Sequence, residues 1–453
     1  MGKYELIIIG GGPAGYLAAE RAAQGGMNVL LFEKRKLGGV CLNEGCMPTK
    51  TLLHSAKLYY QALNGKAYGV SAESVSFDHG SVVSRKNKVV KTLVSGVTAK
   101  MKGHKISVIN ETAVIAGKSN GVFAVNAGND TYEARLLLVA AGSEAVIPPI
   151  PGLKEGLSSG FVMTSREILD TEHLPQKLAI IGGGVIGLEM AAYFATAGSK
   201  VTVIEMLDKI AGYTDGEISA MLQNELAAKG IDFRLGCKVV KIGEKTVEYE
   251  KDGVHTVEAD AVLLSIGRKA SAAELGLENI GVYTERGAIV TDNNLRTNVP
   301  GCYAAGDVNG KSMLAHTAYR EAEAAVNHML GKRDSMRYDA IPAVIYTSPE
   351  VSGVGETEES AREKGLNYSV KKLSMRYSGR FIAETDHADG LCKLLLETGS
   401  NRLIGAHLIG NYASEIIYGA AMMIESRWPA DDLKEIVFPH PTVSEIIKET
   451  LFV

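Results

Sequence analysis

The chain contains 453 residues, of which 46% are hydrophobic and 22% charged, and its formal net charge is −4. One hydrophobic core rarely serves a chain of this length, so we expect roughly two to four domains. The charge balance lacks the basic surface of nucleic-acid-binding proteins, and no apolar run approaches the ~18 residues of a membrane helix. Because the amino terminus also lacks a charged-then-apolar leader, we predict a cytoplasmic protein that binds neither nucleic acid nor membrane.

An apolar run at residues 6–9 is followed by a glycine-rich turn, an alanine-rich helix and a second apolar run that ends in an acid. Such glycines allow a tight turn and let the backbone approach a diphosphate at the helix N-terminus, while the acid accepts hydrogen bonds from a ribose. The cofactor-binding residues predicted in this copy are Gly10, Gly12, Pro13, Ala14, Gly15 and Glu33.

The same pattern recurs after the apolar run at residues 178–181, and 23 residues again separate the first glycine from the acid. One copy alone is weak evidence, but two complete copies predict two dinucleotides, most simply FAD and a nicotinamide. An acid without neighbouring arginines suits the free 2′-hydroxyl of NAD better than the 2′-phosphate of NADP. The residues predicted in this second copy are Gly182, Gly184, Val185, Ile186, Gly187 and Glu205.

Five cysteines are present, an odd and sparse set that does not make a disulfide framework. Cys41 and Cys46 are close in sequence and precede a helical stretch, where thiol pKa values are lowered, so we interpret them as a redox-active disulfide. Lys50 would share a helix face with Cys46 and add positive charge. No further Cys/His cluster supplies metal ligands, so no metal site is expected, and two adjacent buried thiols without redox activity are the alternative.

The residues around these features resemble the class I pyridine nucleotide–disulfide oxidoreductases over essentially the whole chain. The similar segments are residues 41–50, 296–308, 313–316 and 440–445. The leucine after Cys41 favours the branch of the family that oxidises dihydrolipoamide with NAD. Mercuric reductase-like and glutathione reductase-like activities, and a non-catalytic FAD-bound scaffold subunit, remain as alternatives.

The resemblance implies a role for each catalytic residue. Cys41 would exchange with the substrate, and Cys46 would face the flavin. His440, oriented by Glu445, would act as the acid–base catalyst for the other subunit, a task that suits the ordinary pKa of histidine.

The resemblance also implies a set of cofactor contacts. Lys50 and Glu189 would pair beside the flavin, Glu33 would hold the adenosine ribose, and Asp307 the ribityl chain. The further implied cofactor contacts are Lys34, Gly39, Val40, Ala113, Ala141, Gly142, Ser143, Val239, Gly267, Gly306, Met313, Leu314, Ala315 and His316.

The implied fold class is α/β, with two Rossmann-like dinucleotide-binding domains and a C-terminal α+β dimerisation domain. The expected ranges are 1–148 for FAD, 149–268 for NAD, 269–339 for a segment that completes the FAD site, and 340–453 for the interface. The expected partners are a second copy of the chain and a lipoyl-bearing protein of a 2-oxoacid dehydrogenase complex or of the glycine cleavage system.

Three segments depart from the pattern of the family. Phe438 and Pro439 precede His440 where relatives often carry histidine and alanine. Residues 269–271 differ from the usual Arg-Pro-Asn, and residues 319–320, Tyr-Arg, stand where acidic residues are expected. None of these positions is expected to lie on the electron path.

Overall fold

The computed structural model describes residues 3–386 and 389–453, and in it the apolar runs expected as buried strands are strands. In chain order the strands are β1 (Lys3–Ile9), β2 (Val29–Phe32), β3 (Ser107–Ile109), β4 (Ala113–Ser119), β5 (Val122–Ala127), β6 (Asp130–Val139), β7 (Ser143–Ala145), β8 (Val162–Met163), β9 (Lys177–Ile181), β10 (Lys200–Glu205), β11 (Asp232–Leu235), β12 (Lys238–Gly243), β13 (Thr246–Glu250), β14 (Val254–Glu258), β15 (Ala261–Leu264), β16 (Arg268–Ala270), β17 (Thr284–Glu285), β18 (Ala288–Ile289), β19 (Cys302–Ala304), β20 (Ala343–Ile345), β21 (Glu350–Gly355), β22 (Tyr368–Ser374), β23 (Leu391–Glu397) and β24 (Leu403–Gly410).

The helices follow the predicted alternation with strands. In chain order they are α1 (Pro13–Gln24), α2 (Gly39–Asn43), α3 (Cys46–Leu63), α4 (His79–Gly103), α5 (Leu153–Ser159), α6 (Ser165–Ile168), α7 (Val185–Ala197), α8 (Gly216–Ala228), α9 (Ala315–Met329), α10 (Glu358–Glu363), α11 (Gly379–Glu384), α12 (Ala413–Ser426), α13 (Ala430–Lys434) and α14 (Glu445–Phe452), with short 3₁₀ turns at Gly65–Tyr68, Leu277–Ile280, Asp307–Asn309 and Met375–Tyr377.

The first of two compact units comprises Met1–Thr51, Val83–Ile147 and Gly267–Arg337. Its sheet has the order β3-β2-β1-β6-β5-β4, with β19 paired to β6. Strands β3, β2, β1, β6 and β19 run parallel. The chain adds β2 and β3 on one side of β1, and the later strand β6 pairs with β1 on the other side. The carboxyl end of β1 therefore lies at a switch point, where α/β sheets bind ligands.

The second unit comprises Leu52–Val82, Pro148–Ile266 and Tyr338–Val453. A parallel sheet of order β11-β10-β9-β15-β8 again has its glycine-rich turn after the central strand β9. A second, antiparallel sheet of order β20-β21-β24-β23-β22 is packed by α12 and α14 around a core that includes Leu394, Leu408 and Ile446. The α/β fold class is therefore confirmed.

The boundaries of the units bear on the four predicted ranges. Residues 267–337 belong to the first unit, whereas residues 52–82, which lie inside the expected range 1–148, belong to the second. The assignment of each range to FAD, NAD or dimerisation stays a prediction. Met1, Gly2, His387 and Ala388 lie outside the described residues.

Within residues 3–386 and 389–453, no helix is long and apolar enough to cross a membrane. No group of three or more His, Cys, Asp or Glu side chains in the same ranges is arranged to hold a metal ion.

Candidate active site

The first glycine-rich turn makes a cradle of bare backbone at the carboxyl end of β1. A Cβ on Gly10 would lie 2.2 Å from the Ala140 carbonyl oxygen, and one on Gly39 would lie 2.6 Å from the Cα of Gly12. Gly12 caps α1 without a side-chain hydrogen bond, so the first N–H groups of this helix remain available to an anion. This geometry fits the diphosphate of FAD.

The acid that ends β2 is held by backbone donors on both oxygens. Gly11 N–H donates to Glu33 Oε2 at 2.8 Å, and Arg35 N–H donates to Oε1 at 2.7 Å. Glu33 is buried. Each carboxylate oxygen keeps a lone pair, so the side chain can accept hydrogen bonds from a ribose hydroxyl pair.

The second copy repeats this clamp residue for residue. Gly183 N–H donates to Glu205 Oε2 at 2.6 Å, and Leu207 N–H donates to Oε1 at 2.8 Å. Gly184 caps α7 without a side-chain bond, and a Cβ built on it meets nothing within 4 Å. The arrangement fits a second dinucleotide.

Asp307 lies at the end of a hydrogen-bonded chain in the first unit. Ser143 Oγ donates to Asp307 Oδ2 at 2.5 Å, and Arg268 Nε donates to Ser143 Oγ at 2.7 Å. The fully buried Glu321 accepts from Gly306 N–H at 2.6 Å and from Asn309 Nδ2 at 2.9 Å. The sequence reasoning did not assign roles to Arg268 and Glu321. A carboxylate within the apolar face of α9 was the signal that could have identified Glu321.

Cys41 and Cys46 lie on two successive short elements, Cys41 within α2 and Cys46 at the first position of α3. Both are half-buried thiols. Their mutual hydrogen bond, followed by burial, raises the pKa of the Cys41 thiol, while Lys50 lowers it and Asp307 raises it. The expectation of a lowered pKa at this helix start is therefore wrong for Cys41 in the reduced pair, because the neighbouring thiol and burial outweigh Lys50. The sulfurs are thus adjacent in the reduced form, and the same pair can close to a disulfide.

Two tyrosines that the sequence reasoning did not select lie near this pair. Tyr16 of α1 and Tyr319 of α9 share a short hydroxyl–hydroxyl hydrogen bond, with ring centroids 5.9 Å apart and an interplanar angle of 63°. Tyr319 is one of the positions that depart from the family pattern, and no sequence signal linked it to Tyr16.

Glu189 is buried on α7, and its Oε1 accepts from Tyr346 N–H at 3.0 Å. Lys50 lies on α3, on the same helix as Cys46. The ion pair expected between Lys50 and Glu189 stays a prediction.

His440 and Glu445 are hydrogen-bonded as expected. His440 Nδ1 lies 3.0 Å from Glu445 Oε1, and Thr442 N–H donates to Glu445 Oε2 at 2.9 Å. The Thr442 N–H and then His440 lower the pKa of Glu445, which is therefore ionised at neutral pH. The His440 side chain is 80% exposed, so its Nε2 can meet a substrate from outside the chain.

The structure divides the predicted site residues between its two units. The first unit holds Gly10, Gly12, Pro13, Ala14, Gly15, Glu33, Lys34, Gly39, Val40, Cys41, Cys46, Lys50, Ala113, Ala141, Gly142, Ser143, Gly267, Gly306, Asp307, Met313, Leu314, Ala315 and His316. The second unit holds Gly182, Gly184, Val185, Ile186, Gly187, Glu189, Glu205, Val239, His440 and Glu445.

A family model described as pyridine nucleotide-disulphide oxidoreductase matches residues 4–322, and a model of its dimerisation domain matches residues 341–451. The chain belongs to this family. As a pyridine nucleotide–disulphide oxidoreductase, it is an enzyme of redox chemistry that uses FAD and NAD(H). The second matched region supports the predicted homodimer.

Relatives and solved structures similar to the chain span nearly its whole length. A mitochondrial dihydrolipoyl dehydrogenase of Pisum sativum is 37% identical, with 98% of this chain and 90% of the relative covered. A dihydrolipoyl dehydrogenase of Chlamydia muridarum is 35% identical, with 99% and 96% covered. The Cu(II) complex of the HOCl-induced flavoprotein disulfide reductase RclA from Escherichia coli is 30% identical, with a TM-score of 0.87 and 100% and 99% covered.

These similarities make the chain a flavin-dependent disulfide oxidoreductase. Because the plant relative is mitochondrial, the cytoplasmic location stays a prediction. The individual site residues likewise stay predictions.

Proposed function

We propose that this oxidoreductase is an NAD-dependent dihydrolipoyl dehydrogenase, which oxidises protein-bound dihydrolipoyl groups. The observation that carries the proposal is the hydrogen-bonded Cys41–Cys46 pair, which follows the Gly12–Gly39 cradle along the chain. Relatives named dihydrolipoyl dehydrogenase at 35% and 37% identity support the same activity.

The thiol exchange follows from the chemistry of these side chains. With Cys41 and Cys46 oxidised, a substrate thiol loses its proton to His440 Nε2 and attacks the Cys41 sulfur. The bond between the two cysteines breaks, and Cys46 leaves as a thiolate. His440 then releases the first proton to solvent and takes the proton of the second substrate thiol. The second sulfur attacks the first substrate sulfur, closes the lipoyl disulfide and releases Cys41, which takes this second proton from His440.

Glu445 holds the imidazole ready for this proton transfer. Its carboxylate binds Nδ1, fixes the tautomer and stabilises the imidazolium that forms, as in other histidine–carboxylate pairs. FAD, when bound, supplies the two-electron chemistry that connects the reduced cysteines to NAD. Because His440 is exposed on its own chain, we expect it to serve the dithiol of the other subunit.

A parallel assay of NADH oxidation with lipoamide, glutathione disulfide, Hg²⁺ and Cu²⁺ tests the activity. We expect rapid turnover with lipoamide and little with glutathione disulfide or Hg²⁺. Absence of lipoamide turnover by the FAD-loaded protein would contradict the proposal.

His440→Ala tests the role of the base. Loss of a positioned acid–base should reduce dihydrolipoamide oxidation by roughly 10²–10⁴-fold, while NADH should still bleach the flavin. His407→Ala is not a suitable control because His407 is buried, so the exposed His255 provides the matched variant, His255→Ala. Normal dithiol turnover in His440→Ala would exclude the assigned role.

A second candidate is a reductase of the RclA kind. The observation that favours it is the likeness of the full chain to the RclA structure. That structure is a Cu(II) complex. Copper(II) reduction without lipoamide turnover in the parallel assay would select this function.

We further propose that a lipoyl-bearing protein of a 2-oxoacid dehydrogenase complex or of the glycine cleavage system presents the substrate. The relatives named above support this partner class. An isolated lipoyl domain should then give a higher kcat/KM than free dihydrolipoamide. Equal values would argue against a protein-borne substrate.

A further inference from the structure

The two tyrosine hydroxyls near the dithiol have no part in the thiol exchange described above. Tyr16 is the fourth residue of α1 and Tyr319 the fifth of α9, and these helices pack against each other. The hydroxyl groups are hydrogen-bonded to each other. Helix packing therefore presents two coupled phenols to the same region of the first unit.

The phenols interact electrostatically with both cysteines. Burial, then the bond to Tyr319, then the two cysteines raise the pKa of Tyr16. Burial and the cysteines also raise the pKa of Tyr319, although its bond to Tyr16 opposes them. Both side chains are consequently neutral, protonated groups at physiological pH. Gly39, which starts the short helix of Cys41, packs against Gly12, which caps the helix of Tyr16, so the tyrosine pair and Cys41 lie in neighbouring parts of the first unit.

Hydrogen-bond geometry limits what two such hydroxyls can do. They carry two protons, and only one proton lies between the two oxygens. The other O–H can be directed to a third acceptor. Among the groups that interact with the phenols, a thiolate would be the strongest acceptor, because hydrogen bonds to ionised groups are the strong ones.

We propose that the Tyr16–Tyr319 pair is a positioning element for the dithiol, which directs one phenolic O–H, directly or through water, to the thiolate formed when Cys41 and Cys46 are reduced. This proposal rests on the proposed use of Cys41 and Cys46 as the redox pair. It assigns a role to Tyr319, at a position where acidic residues are expected in the family.

The other charges near the sulfurs act in opposite directions. Lys50 favours a thiolate and Asp307 disfavours it. Other charges on the two helices have partners of their own. Arg320 pairs with Asp334, Arg21 with Glu323 and Glu20 with Lys100, while Glu321 accepts from Gly306 N–H and Asn309 Nδ2. The tyrosine pair thus adds a neutral donor to a balance otherwise set by Lys50 and Asp307.

Alkylation of the reduced, FAD-loaded protein by iodoacetamide between about pH 5 and pH 10 measures the thiolate directly, because only the thiolate reacts. In the double variant Tyr16→Phe/Tyr319→Phe, we expect the pH at which the alkylation rate is half-maximal, the midpoint, to rise by about one unit. The alkylation rate at pH 7 should fall roughly 5- to 10-fold. Tyr303→Phe removes a hydroxyl bonded to His328 in the same unit and is the matched control.

Tyr319→Glu provides an independent test because it replaces a neutral phenol with a negative charge. A carboxylate beside the sulfurs should raise the midpoint further than the double phenylalanine variant, because like charges disfavour the thiolate. If the double variant loses flavin, the single Tyr319→Phe variant is compared with Tyr319→Glu in its place. The same midpoint in these variants and in the unaltered protein would overturn the inference.

The readout separates this inference from the proposed function. Alkylation needs no dihydrolipoyl substrate, so a shifted midpoint in a protein that fails to turn over lipoamide would sink only the proposed function. Lipoamide turnover with an unshifted midpoint would sink only the role of the tyrosines.

Discussion

Each of the two glycine-rich turns has the same kind of carboxylate clamp. The surrounding chain covers the two turns to different extents. In the first unit, Gly39 brings a second backbone segment against Gly12, and the acid, Glu33, is buried. In the second unit, the space at Gly184 is open and the neighbouring Val185 is 40% exposed. The same local motif is therefore covered in one unit and accessible in the other.

This difference matches the needs of the two nucleotides that the enzyme uses. A flavin that remains bound through many turnovers benefits from enclosure, whereas NAD must enter and leave in each cycle. We expect the motif to recognise ribose and diphosphate in both cases. Residues 38–39, which lie outside the motif at the start of α2, cover the first turn.

Alanine at the third glycine of each turn gives the largest expected contrast. A Cβ on Gly15 would lie 1.7 Å from the Gly10 carbonyl oxygen, and one on Gly187 would lie 2.1 Å from that of Gly182. Gly15→Ala should yield protein with almost no flavin, whereas Gly187→Ala should stay yellow but lose reduction by NADH. Flavin absorbance and NADH bleaching measure both effects.

Gly96→Ala is the control for this contrast, because a Cβ there meets nothing within 4 Å. Full flavin content in Gly15→Ala would show that the first turn tolerates a wider gap between helix and strand. That result would remove the basis of the comparison.

The units also differ in their ion pairs. In the second unit, Lys393 and Asp215 are both buried and hydrogen-bonded at 3.0 Å, whereas in the first unit Lys269 and Glu144 pair at an exposed site. Lys393→Met should lower the free energy of unfolding by about 3–5 kcal/mol because it leaves a buried charge uncompensated. Lys269→Met should cost about 0–1 kcal/mol, and denaturant unfolding monitors both.

Acid titration sharpens the same test. Burial alone would raise the pKa of Asp215, but Lys393 outweighs burial and lowers it. The stabilisation is therefore complete above the ordinary carboxyl pKa of about 4 and is lost as the pH falls through the lower value of the folded state. Lys393→Met should abolish this acid-dependent step, and an unchanged step would contradict the assignment.

Removing the carboxylate of the second clamp, Glu205, should have a smaller energetic effect. Hydrogen bonds to a charged group contribute about 1.5–3 kcal/mol, so Glu205→Ala should weaken NAD binding roughly 10- to 100-fold. The preference for NAD over NADP should also fall, because Glu205 would no longer repel a 2′-phosphate. Titration calorimetry with both nucleotides measures this, and Glu258→Ala, at an exposed position of the same unit, is the control.

The sequence was sufficient for the parts of the fold and site that depend on local pattern. Repeated glycines and acids predicted both nucleotide turns, and the resemblance of residues 440–445 to the family implied the contact between His440 and Glu445, which the structure shows as a hydrogen bond. Glu321 and the Tyr16–Tyr319 pair were missed because their roles come from contacts between residues far apart in the chain. Tyr16 lies 303 positions from Tyr319, and no local pattern encodes that distance.

The smallest predicted difference concerns the residue whose carbonyl group approaches the first glycine of each turn. The Ser265 carbonyl approaches Gly182 as the Ala140 carbonyl approaches Gly10, but Ser265 Oγ also donates to the Gly182 carbonyl oxygen at 3.1 Å. Ser265→Ala places in the second copy the alanine side chain that the first copy has at Ala140. We expect a loss of about 0.5–1.5 kcal/mol in stability, with flavin content unchanged. Ser158→Ala, on the exposed surface of the same unit, is the control, and an equal loss in both variants would show that the extra bond at the second turn contributes nothing.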